Sequence, residues 1–147
     1  MYTAGKIIHF DPFYFDNGDS KKKFFLVIKV IGEDAILASL PSSQDHLPSD
    51  TQLKHGCIEL PDAQITCYMF EAGRSITENG WHFKQNTFLH GCWLDDYSIA
   101  TLTEKYSIEK VDYEIKGELT KDELSKIIKC FSESATVSRK YKRILKE

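Results

Sequence analysis

The chain has 147 residues, 41% hydrophobic and 28% charged, with 12% aromatic and a formal net charge of −3. That length suits one domain with its own core, and the aromatic content is well above what disordered chains carry. The acidic balance excludes a protein that coats nucleic acid by bulk attraction, but leaves room for a local basic face.

In chain order, Gly5 to Phe10 (GKIIHF) is a short strand-like run ending at a turn signal, Asp11-Pro12. A second turn follows at Asp16-Asn17-Gly18-Asp19. Phe24 to Val30 (FFLVIKV) is the strongest strand in the sequence, and Gly32-Glu33-Asp34 turns it into Ala35 to Leu40 as a hairpin. Residues 41–54 are Ser, Pro, Asp, Gln and His with little periodicity; a loop of about a dozen residues in a compact domain points to function. Cys57 to Leu60 and Ile65 to Phe70 are short strands divided by Pro61-Asp62, and Gly80 to Leu94 reads as one or two aromatic strands.

The period then changes. Leu119, Leu124, Ile127, Ile128 and Phe131 recur three and four apart, along one side of a helix over about 120–131. Thr120 with Glu123 three residues later has the pattern of a capping box. Arg139 to Glu147 (RKYKRILKE), with five basic residues in nine, reads as a solvated or frayed end. The order predicts a mainly β single domain over 1–147: a small antiparallel barrel over about 5–118, closed by a C-terminal helix.

No apolar run approaches the roughly 18 residues that span a bilayer, and no charged segment leads into an apolar one at the start. This predicts a cytoplasmic protein with no membrane partner, whose four cysteines, Cys57, Cys67, Cys92 and Cys130, are reduced core residues. His-Gly-Cys occurs twice, so His55, Cys57, His90 and Cys92 could in principle hold zinc, although H-x-C is not a usual ligand spacing.

Lys21-Lys22-Lys23, set against the apolar strand, fits two uses: a charged edge that discourages strand pairing, or the cationic wall of a site that handles phosphate. GKIIHFDP, then Gly18, a basic residue leading into FFLVIKV, then LPSSQ and the helical TKDELSKIIKCF together resemble the MazF/PemK toxins. The resemblance covers most of the chain in order. It implies an SH3-like barrel, usually dimeric, that cuts single-stranded RNA without a metal or other cofactor and is silenced by an antitoxin protein.

Position by position, the resemblance puts the family's Arg-Pro on Lys23-Phe24, its hydroxyl on Ser42 and its acid on Glu71. These three would supply the cation, the hydroxyl and the acid/base group, with Lys22, Ser43, Gln44 and Arg74 holding RNA. Lys23 keeps the charge but not the planar fork of arginine; Met69 stands where some members have a second arginine, and Arg74 is the one fork nearby. His9, on an alternating strand, and His46, in the polar loop, are alternative bases because imidazole titrates near neutrality. Trp81, Phe83, Phe88 and Trp93 are either core or faces on which bases stack. The competing reading is an SH3-like barrel without catalysis that binds protein or nucleic acid.

Overall fold

A computed structural model describes all 147 residues. Eight strands and three helices are present: β1 Lys6–Tyr14, β2 Ser20–Ile31, β3 Ala35–Ser39, β4 Gly56–Leu60, β5 Ile65–Phe70, β6 Thr87–His90, β7 Asp95–Ser98, α1 Ile99–Lys105, β8 Tyr113–Glu118, α2 Lys121–Ser132 and α3 Arg139–Lys146. The strands form two antiparallel sheets. One has five strands in the order β7-β3-β2-β1-β8, the other three in the order β4-β5-β6, and their ladders do not close into a single ring. No helix is long and apolar enough to cross a membrane.

β2 is the centre of the larger sheet because its sequence is apolar on both faces: Phe25, Leu26, Val27 and Ile28 are all buried. Phe25 and Val27 pack with Ile8, Phe10 and Ile36 beneath Leu102 of α1 and the following Tyr106. Leu26 and Ile28 point the other way, into a larger cluster with Tyr68 and Phe70 of β5, Ile127 and Phe131 of α2 and Leu145 of α3. Each such side chain contributes about 1.5–3 kcal/mol by leaving water, so a sheet covered on both sides is firmly set.

The predicted β2–β3 hairpin, the strands β4 and β5 and the irregular segment before β4 are all present. Leu119, Leu124, Ile127, Ile128 and Phe131 share the larger cluster, as their spacing requires. The capping box is half made. Glu123 N–H donates to Thr120 Oγ1, but Thr120 N–H donates to the carbonyl of Ile76 and the Glu123 carboxylate turns inward.

Two expectations need correction, at the end of β1 and in the basic tail, and residues 80–118 take a definite form. β1 does not end at Asp11-Pro12 but continues to Tyr14; the proline sits at a register shift between Phe10 and Phe13, where its missing N–H is tolerated. Residues 80–94 hold one four-residue strand, β6, then a 3-10 turn over Gly91–Trp93. β7, α1 and β8 lie in a stretch that carried no clear period. The basic tail is a docked helix, held by buried Leu145, by Tyr141 Oη on Asp96 Oδ1 at 2.9 Å, and by Lys29 Nζ on the carbonyl of Ile144 at 2.6 Å.

The segment before residue 81 is tied across β8. Glu78 N–H donates to the carbonyl of Glu118, Asn79 Nδ2 to that of Lys116, and Asn79 lies so close over Gly117 that a Cβ there would be 2.5 Å from its Oδ1. This crossing brings residues 81–87 alongside β1, β2 and β8.

Candidate functional site

A groove of about 830 Å³ runs between the larger sheet and the chain over residues 81–87. β1 gives it His9, β2 gives Lys21, Lys22, Lys23 and Phe24, and β8 gives Lys116. The long loop contributes Pro41, Ser42, Ser43, Gln44 and His46; the opposite wall carries Trp81, His82, Lys84 and Gln85, with Trp93 at the loop end. Five lysines and three histidines therefore line it, with no aspartate, glutamate or arginine.

The loop is positioned by β6. Ser42 and Phe88 exchange both backbone hydrogen bonds, at 3.0 and 2.7 Å, and His90 Nε2–H donates to the carbonyl of Gln44 at 3.2 Å. Ser42 Oγ accepts the N–H of Gln44 at 3.1 Å, which fixes the oxygen and leaves the hydroxyl proton free to donate into the groove. His46 packs edge-on against Trp93, with ring centres 5.6 Å apart.

At the other end His9 and Phe24 are cross-strand partners with ring centres 4.8 Å apart, and Phe24 in turn touches Trp81 at 5.6 Å and Phe83 at 5.0 Å. Burial lowers the pKa of His9, and the positive charge of Lys116 lowers it further. Burial likewise lowers that of Lys23, with Lys21 beside it adding repulsion. Lys22 and the half-buried Lys116 pair with the exposed carboxylates of Asp11 (3.8 Å) and Glu114 (3.2 Å). Lys21, Lys23 and Lys84 have no carboxylate partner.

Of the residues expected from sequence, Lys22, Lys23, Ser42, Ser43 and Gln44 meet here, while Glu71 and Arg74 do not line the groove. Glu71 follows the last residue of β5, is exposed, and its N–H donates to His55 Nδ1 at 3.1 Å, outside the groove. Phe83 and Phe88 are core, while Trp93 is 42% exposed and Trp81 partly so. Lys84, Lys116 and His82 were not anticipated; they are isolated residues in stretches without a pattern, and only the crossing over β8 assembles them.

The two His-Gly-Cys repeats do not converge on a metal. Cys57 is bonded to Cys130, His55 Nε2 is held by Glu123, His90 donates to Gln44, and Cys92 is exposed. No group of three or more His, Cys, Asp or Glu side chains is arranged to hold an ion. The disulfide also corrects the expectation of four reduced cysteines: α2 packs across β4 and brings the two Cα atoms to 5.6 Å, within bridging reach.

The chemistry of such a groove suits a polyanion: its ammonium groups and hydroxyl can meet phosphate oxygens, and its indole faces can stack on flat rings. Compared with family profiles, with curated proteins and with solved structures, the chain has no significant match in any of the three.

Proposed function

We propose that the chain is a MazF/PemK-like toxin module that binds single-stranded RNA in this groove and cuts it without a metal. The observation that carries the reading is that Lys23 and Ser42, nineteen residues apart in sequence, line one concave surface walled by lysines and free of carboxylates. A folded duplex needs no stacking partner, whereas unpaired bases do, and Trp81 and Trp93 at the two ends of the groove favour a single strand. In this reading the two sheets are the halves of an SH3-like barrel, the protein works in the cytoplasm as a homodimer, and an antitoxin covers the groove. The groove takes no residue from β4 or α2, the elements that the Cys57–Cys130 bond joins, so it does not depend on that bond.

Lys23 meets the charge growing on the phosphate as a point charge, and Ser42 donates its free proton to a non-bridging oxygen. Glu71 is given no part in proton transfer. The absence of arginine and carboxylate from the groove favours one other reading, an RNA-binding module without catalysis.

The test is induced expression and purification of wild type beside Lys23→Ala/Ser42→Ala. The expected outcome is growth arrest and new RNA ends with wild type only, and cleavage by the double variant reduced at least about 100-fold. Wild type that binds RNA but leaves it whole supports the non-catalytic reading, and wild type that does neither removes both.

A further inference from the structure

Resting on the RNA-cleavage reading, a further question is which group takes the proton from the attacking 2′-hydroxyl, since no carboxylate lines the groove. His82 is exposed, and the ring of His46 is packed against those of His90 and Trp93. His9 is different. It sits half-buried on the groove wall formed by β1, its ring is fixed edge-on against Phe24, and neither ring nitrogen makes a hydrogen bond within the protein. Lys23 pairs with Phe10 rather than with His9, and side chains alternate faces along a strand, so the cations beside this imidazole are Lys116 and Lys22.

We propose that His9 is the general base of the groove. His9 removes the proton from the 2′-hydroxyl, whose oxygen then attacks the adjacent phosphorus. The bond from phosphorus to the 5′-oxygen breaks, and that oxygen takes a proton from water. The products are a 2′,3′-cyclic phosphate and a free 5′-hydroxyl; water takes the proton from His9, which balances the one given to the leaving oxygen. No oxidant, metal or further reactant enters.

The electrostatics suit the assignment. Around His9 stand Lys116 and Glu114 of β8, Lys22 of β2 and Asp11 of β1. Burial and the two lysines outweigh the two carboxylates, so the imidazole is neutral at neutral pH and able to accept a proton.

The experiment measures cleavage and binding of a single-stranded RNA oligonucleotide of mixed sequence by wild type, His9→Asn and Lys116→Gln. His9→Asn is expected to bind within about threefold of wild type and to cut at least about 100-fold more slowly. The acidic limb of the wild-type rate profile follows the titration of His9. Lys116→Gln removes a positive charge beside it, raises its pKa, and moves that limb to higher pH. A 2′-deoxy nucleotide at the cut position must block cleavage.

Cleavage by His9→Asn within threefold of wild type, or a limb that Lys116→Gln leaves in place or moves to lower pH, overturns the proposal while the RNA-cleavage reading stands. A wild type that binds but never cuts overturns both.

Discussion

Two polar regions of this molecule use the same residue types in opposite ways. In the groove, five lysines face one another with only two exposed rim carboxylates, Asp11 and Glu114, in contact. Beneath β4 and β5, His55, Tyr68 and Glu123 are buried and matched: Glu71 N–H donates to His55 Nδ1, so the other ring nitrogen carries the proton and donates to Glu123, and Tyr68 Oη donates to the same carboxylate at 3.0 Å. The matched cluster has no free valence and holds α2 against the small sheet. The groove keeps like charges together at a cost in stability, which is the arrangement expected where a ligand supplies the missing sign.

The largest expected effect separates the two regions. Cys57–Cys130 closes a loop with a sequence separation of 73 beside the matched cluster. In the chain-entropy account, a loop of that size adds about 4 kcal/mol to stability. Reduction with a dithiol, or Cys57→Ser/Cys130→Ser, should lower the denaturant midpoint accordingly, while RNA affinity measured well below that midpoint stays the same. A parallel loss of affinity would show that the groove depends on the buried corner after all.

Next in size is Glu123→Gln. The amide keeps the shape but loses the charge in two hydrogen bonds and turns a donor toward one of its partners, a change worth about 1–3 kcal/mol. Thermal unfolding should register it and cleavage at low temperature should not.

The same contrast explains how much was legible in the sequence. β2, β3, β5 and α2 bury continuous or regularly spaced apolar residues, and the chain states that pattern openly. β7 (DDYS) and β8 (YEIKGE) are edge strands with few buried positions, and α1 is a short helix in which only Leu102 is buried, so their sequences carry little period. α3 was hidden by its charge, although Ser138, whose hydroxyl accepts the N–H of Tyr141, and the pair Tyr141 and Leu145 four apart were available signals. Lys23 and Ser42, placed by the resemblance, each adjoin a recognisable strand and both line the groove. Glu71 lies outside the groove because the end of β5 turns toward His55, and nothing local in CYMFEAGRSI records that direction.

The smallest effect tests the groove alone. A lysine that contacts a phosphate of a single strand displaces counterions, and each such contact contributes about 0.7 to the slope of log affinity against log salt. Lys84 is an exposed groove residue without a carboxylate partner, whereas Lys126 lies on α2 and is paired with Asp122 at 3.0 Å. Binding titrations across a range of salt should therefore give Lys84→Ala a slope shallower by about 0.7 and leave Lys126→Ala with that of wild type. Equal slopes for all three proteins would mean that the strand does not run past residues 81–87, and that the two walls of the groove do not act on one ligand.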